Sequence, residues 1–151
     1  MEKLDSNFAD FLRSLNGRAV EYVVVGGYAV GYHGFVRATG DLDIFVGGTP
    51  QNAVRIVEAF RDFGLQTAEL TASVFLEPGK IVRLGIPPVR LEVMNSISGV
   101  SFEACYATRK EELIDGIRIN FIDLDHLLQN KRAAGRPKDL ADIDALTRRP
   151  E

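Results

Sequence analysis

Two short apolar runs, each cut off by a pair of glycines, constrain this chain more than any other feature. Tyr22-Val23-Val24-Val25 ends at Gly26-Gly27, and Leu42-Asp43-Ile44-Phe45-Val46 ends at Gly47-Gly48. β-Branched and aromatic residues suit a pleated surface, and a continuous apolar run of this length reads as a buried strand that needs cover on both faces. Helical patterns supply the cover. Asp5 or Ser6 can cap a helix carrying Phe8, Phe11, Leu12 and Leu15 at helical spacing, with Asn16-Gly17 as its stop. A second helix is expected from about Tyr28 to His33, and a third over residues 50–62, where Thr49 supplies the cap and Pro50 the first helical position. Lys80 to Ile86 and Arg90 to Met94 are β-patterned around Pro87-Pro88, and Asp115-Gly116 is a hairpin signal, so the middle is expected to be mostly sheet. One helix then starts near Asp123 and stops at Gly135, and another runs from Pro137 to about Arg148. The pattern predicts an α/β (α+β) chain, a mixed sheet flanked by helices, as one domain over residues 1–151 with C-terminal helices at about 123–148.

Composition narrows the function classes. The 151 residues are 46% hydrophobic and 26% charged, which fits one globular domain of ~100–200 residues and excludes disordered and fibrous classes. No apolar stretch approaches the ~20 residues of a membrane span, and acidic residues stand where a secretion signal has basic ones, so no membrane partner and a cytoplasmic address are expected. With one cysteine, Cys105, read as a packing residue, and two histidines, the chain lacks ligands for a Cys/His zinc site. Any catalytic metal must be held by oxygen. The net charge of −3 is unevenly spread: residues 1–128 hold 12 basic and 17 acidic residues, net −5, and residues 129–151 hold 6 and 4, net +2.

The chemistry is concentrated between Val24 and Val46. A buried strand meets Gly26-Gly27, a helix begins there, and after thirteen further residues Asp41-Leu42-Asp43 opens another strand. Strand alternation puts both carboxylates on one face and Leu42 on the other. Two acids side by side in an apolar strand are costly unless a cation neutralises them, and hard oxygen ligands suit Mg or Mn. The glycines let backbone approach a ligand, and helix-start amides would face its phosphates. The same glycines also suit a plain strand-to-helix turn, and the aspartates could bond to loop amides or to Arg37.

These residues resemble the nucleotidyltransferase superfamily that includes DNA polymerase β, whose signature is a hydrophobic residue, Gly, Gly or Ser, a spacer, then Asp-hydrophobic-Asp and a further hydrophobic residue. Val25-Gly26-Gly27 and Asp41-Leu42-Asp43-Ile44 fit it, with the spacer at its upper limit. The resemblance implies a third carboxylate on a neighbouring strand, matched by Glu92 in Arg90-Leu91-Glu92-Val93-Met94, where Asp is commoner; pairing of Glu92 with Arg90 on its own face is the alternative. A narrower likeness is to small bacterial nucleotidyltransferases of the abortive-infection toxin type, whose late lysine and charged helix Lys131 and Arg136-Pro137-Lys138-Asp139-Leu140-Ala141-Asp142 resemble.

What the resemblance implies is transfer of a nucleoside monophosphate from an NTP to an acceptor hydroxyl, with two Mg or Mn ions held by Asp41, Asp43 and Glu92 as catalytic residues. Gly26, Gly27, Arg37, Thr39, Lys131 and Arg136 are the candidate nucleotide-binding residues, although Lys131 and Arg136 could simply bridge to Asp139 and Asp142. The acceptor is open between an RNA end such as tRNA, a partner protein and a small molecule, and a homo-oligomer or a cognate antitoxin is an admissible partner. The rival reading is a catalytically weak member that binds nucleotide or a partner within a toxin-antitoxin pair. His33 reads as a packing residue. The second Asp-x-Asp, Asp123-Leu124-Asp125, reads as a helix cap with first-turn charge rather than a metal site.

Overall fold

The computed structural model describes residues 4–37, 39–86 and 89–148. Helix α1 (Ser6–Gly17) is capped by Asp5, which accepts from the Asn7 amide at 2.8 Å, and it buries Phe8, Phe11, Leu12 and Leu15 as their spacing predicts. Strand β1 (Tyr22–Val25) is buried at every position. Helix α2 (Gly26–Tyr32) follows with no connecting loop, starting two residues earlier than the sequence suggests. Gly26 makes this possible because its φ of 66° turns strand into helix within one residue. Strand β2 (Asp41–Val46) leads to α3 (Pro50–Phe63), whose Thr49 cap accepts from the Asn52 amide at 3.2 Å.

After a 3-10 turn (Val74–Leu76) come strands β3 (Ile81–Ile86) and β4 (Val89–Met94); Pro87 and Pro88, the expected turn between them, lie outside the described residues. Helix α4 (Phe102–Ala107) modifies the expectation of a mostly sheet middle. Ser101 caps it by accepting from the Ala104 amide at 3.2 Å, and Phe102 and Cys105 bury the inner side. Six residues carry too little periodicity for such a helix to stand out in the sequence. Strands β5 (Lys110–Ile114) and β6 (Ile117–Phe121) form the predicted hairpin. Asp115 and Gly116 both take left-handed conformations, φ 51° and 78°, as a primed two-residue turn requires. Helix α5 (Leu124–Ala134) stops at left-handed Gly135, and α6 (Pro137–Thr147) begins with its proline in the first turn.

The six strands lie in the order β3-β4-β2-β1-β6-β5. β1 pairs antiparallel with β2 and parallel with β6, β2 pairs parallel with β4, and antiparallel hairpins close both edges. This is the mixed, helix-flanked sheet of a minimal nucleotidyltransferase fold. Leu42, Ile44, Leu91 and Val93 share one side of β2 and β4 and are buried in the core, where α1 and α3 meet with Phe11 4.9 Å from Phe60 between ring centroids. Buried Asn52 fixes where β1 starts and β2 ends: it accepts from the Glu21 amide at 2.8 Å and donates to the Glu21 and Gly47 carbonyls at 3.0 and 2.9 Å. Among the described residues no helix is long and apolar enough to cross a membrane.

Candidate active site

Strand register assembles the site. Alternation along β2 sends Leu42 into the core and Asp41 and Asp43 to the other face. Parallel pairing with β4 sets Arg90 beside Asp41 and Glu92 beside Asp43, and antiparallel pairing with β3 sets Arg83 opposite Glu92. Asp41, Asp43 and Glu92 therefore each present an oxygen within 4.8 Å of the others. They lie in a cleft of about 550 Å³ whose wall also includes Gly26, Lys131, Arg136, Lys138, Ser96 and Asn130.

Asp43 is strongly perturbed. Burial, then the neighbouring charges of Glu92 and Asp41, push its carboxyl up to about 7, against a smaller opposing pull from Lys131. Its Oδ1 is buried without a hydrogen-bond partner among the described residues. A polar atom left so costs on the order of 1–3 kcal/mol unless a proton or cation meets it. Gly26 explains how the carboxylate comes to lie there: a Cβ at this position would overlap Asp43 Oδ2, so only glycine lets the side chain rest against the backbone.

The other two carboxylates hold arginines. Arg90 donates from Nε to Asp41 Oδ1 at 2.9 Å and from Nη2 to Oδ2 at 3.0 Å, and Nη2 stands 3.3 Å from Glu92 Oε1. Arg83 donates from Nε to the same Glu92 oxygen at 3.1 Å. The Asp41 hydrogen bond leads the causes that raise the Arg90 guanidinium above its usual value. The Arg90–Glu92 pair expected from the sequence is present, but the Arg90 fork on Asp41 and the Arg83 contact were not anticipated. The first depends on the pairing of strands 49 positions apart in the chain, the second on the register of neighbouring strands β3 and β4.

The candidate nucleotide-binding residues divide into two groups. Gly26, Lys131 and Arg136 line the cleft; Gly27, Arg37 and Thr39 are not part of its lining. Gly27 backs onto Thr39, whose Oγ1 lies 2.7 Å from where a Cβ would sit, and Thr39 Oγ1 donates to the Asp41 carbonyl at 3.2 Å. Arg37 donates from Nε and Nη2 to buried Asp142 at 3.1 and 3.0 Å. Lys131, itself buried, bridges Asp139 and Asp142 at 3.1 Å each, and Arg136 donates from Nε to Asp139 at 2.6 Å. Burial works to raise the Asp139 carboxyl, but the Arg136 and Lys131 hydrogen bonds win and hold it below the usual range. The bridging alternative for Lys131 and Arg136 is thus realised, and it fixes both cations on the cleft wall.

His33 donates from Nε2 to the Ile122 carbonyl at 2.7 Å and packs on Tyr32, in keeping with a structural role. Asp123 does occupy the N-cap position of α5, but its side chain accepts from Thr108 Oγ1 at 2.8 Å and pairs with His126 rather than capping a helix amide. Cys105 is buried, and that burial pushes its thiol up to about 11.

Two solved structures share the fold. One is a protein of Thermotoga maritima provisionally described as a nucleotidyltransferase, at 17% identity and a TM-score of 0.60, covering 95% of this chain and 94% of that one. The other is an antigenic nucleotidyltransferase-like protein of Paracoccidioides brasiliensis, at 17% identity and a TM-score of 0.53, covering 91% and 72%. No curated protein is significantly similar in sequence. Residues 2–147 match the model of a family described as nucleotidyltransferase of unknown function (DUF6036). Spanning nearly the whole chain, that match carries an assignment that fold likeness alone would not: the chain belongs to this nucleotidyltransferase family.

Proposed function

We propose that the chain is a metal-dependent nucleotidyltransferase that moves a nucleoside monophosphate from an NTP to an acceptor hydroxyl. The observation that carries this reading is the meeting of three carboxylates from adjacent strands, one with an orphaned buried oxygen, beside a glycine turn in an open cleft. An all-oxygen donor set of this charge fits Mg or Mn, and two ions are needed to serve both reacting oxygens. Bound ions would supply charge neutralisation at the attacking and leaving oxygens.

The chain's own residues do the rest. Asp41 and Asp43 hold cations, Gly26 allows triphosphate close to the backbone, and Lys131 and Arg136 present positive charge on the wall of the same cleft. Gly27 and Thr39 support Asp41, and Arg37 supports Asp142, through the contacts described above. As the bond from acceptor oxygen to α-phosphorus forms and the α–β bridge breaks, pyrophosphate leaves and Glu92 takes the hydroxyl proton. The acceptor is an RNA end, a protein hydroxyl or a small molecule, and a cytoplasmic setting supplies the nucleotide. Glu92→Gln keeps size while removing the proton acceptor. Incubation with labelled NTP, Mg and total RNA or cell lysate should therefore show labelled acceptor with the wild type and a rate lower by ~10²-fold with the variant. NTP affinity should stay within a few-fold. Transfer at the wild-type rate by Glu92→Gln would return Glu92 to the role of arginine partner.

A second reading has one observation in its favour. Arg90 and Arg83 already occupy Asp41 and Glu92, which suits a slow or inactive member that binds nucleotide or a cognate antitoxin. Nucleotide binding without labelled product, across every acceptor pool tried, would support it.

A further inference from the structure

Arg90 takes up both oxygens of Asp41 and reaches Glu92, so one guanidinium serves two of the three carboxylates. Those are the oxygens a divalent cation needs, and a positive charge within a few ångströms opposes its arrival. Lys131 and Arg136, also on the wall, are held differently. They are tied to Asp139 and Asp142, which belong to α6 and lie outside the carboxylate triad. Arg83 and Arg90 are both paired with carboxylates that the proposed reaction gives to metal, Arg83 with Glu92 and Arg90 with both Asp41 and Glu92. The Arg90 side chain is 32% exposed and lines the cleft together with Gly26, so it has room to turn toward a ligand seated there. A guanidinium fork matches phosphate oxygens as well as it matches a carboxylate.

We propose that Arg90 is the resident counter-ion of Asp41 and Glu92, and that it is exchanged during binding: a divalent cation takes the carboxylates and Arg90 passes to the phosphates of the nucleotide. This rests on the metal-site reading above. The exchange makes metal and nucleotide binding mutually reinforcing, since each relieves the cost the other meets, and such coupling is reciprocal. It also gives Arg90 an unusual signature. Removing the guanidinium should help the metal alone and harm the nucleotide.

The test is Arg90→Gln in the full-length chain, with Mn²⁺ binding followed by electron paramagnetic resonance and a non-hydrolysable NTP analogue titrated by calorimetry at saturating Mg. The expected result is Mn²⁺ affinity ~10-fold tighter than wild type and analogue affinity ~10-fold weaker, the scale of one charge gained or lost at close range. Arg90→Lys keeps the charge without the fork, so it should hold Mn²⁺ affinity near wild type and still weaken the analogue; Arg90→Met, which also removes the charge, serves in place of Arg90→Gln should thermal unfolding show that variant misfolded. Equal or weaker Mn²⁺ binding by Arg90→Gln overturns the exchange and leaves the metal site standing. Unchanged analogue affinity overturns the passage to phosphate. If neither folded protein binds Mn²⁺, the metal-site reading fails and takes the exchange with it.

Discussion

Asp43→Asn is expected to lower nucleotidyl transfer by ~10³-fold or more while making the protein more stable above pH 7. The loss of rate follows from removing a carboxylate that would hold a divalent cation in the proposed reaction. The gain in stability follows from proton linkage. Burial and the charges of Glu92 and Asp41 raise the Asp43 carboxyl from 3.8 to about 7 in the folded chain. Between those values the folded state binds more protons than the unfolded state, so stability falls as pH rises from about 4 to 7, and the full cost, on the order of a few kcal/mol, is present above pH 7. Asparagine has no charge to desolvate and should flatten that slope. Thermal unfolding at pH 5 and pH 8 reads the difference, and added Mg should raise the wild-type midpoint at pH 8 but not that of the variant. A variant less stable than wild type at both pH values would mean that Asp43 is a structural bond rather than a poised ligand.

The second large effect concerns stability. Asp142→Ala removes a buried carboxylate that bridges Lys131 and Arg37, leaving Lys131 buried with Asp139 as its remaining acidic partner among the described residues. Breaking a buried ion pair from one side costs about 3–5 kcal/mol, because the surviving charge is left out of water with less to neutralise it. Urea unfolding should show a lower midpoint with an unchanged slope. Lys131→Met combined with Asp142→Ala should cost less than the sum of the two single changes, since each removes what the other would have left unpaired. Additive losses would show that Lys131 and Asp142 act independently. Function should follow stability here, because this network also holds Lys131 and Arg136 against the cleft.

Much of this arrangement could be read from the sequence for reasons that are local. Two apolar runs ending in glycine pairs mark β1 and β2 whatever surrounds them. Alternation places Asp41 and Asp43 together without any knowledge of the sheet, and Asp115-Gly116 dictates its own turn. Glu92 was found by resemblance on a strand that the local pattern already marked. The remainder depended on distant pairing. Arg90 meets Asp41 across 49 positions of sequence, and Arg37 meets Asp142 across 105. No local pattern encodes those registers. The two glycines show the same limit at close range: both belong to the motif, yet only the folded chain reveals that Gly26 makes room for Asp43 while Gly27 makes room for Thr39.

In the proposed reaction a triphosphate reaches these carboxylates only through divalent metal. Asp41, Asp43, Glu92 and an NTP all carry negative charge, so without cations between them they repel. Calorimetric titration of the purified chain with each NTP, once with Mg and once with EDTA, measures this directly. Saturable binding of at least one NTP with Mg, weaker by ~10²-fold or more in EDTA, is the predicted result. Equal affinity in the two buffers would contradict the account.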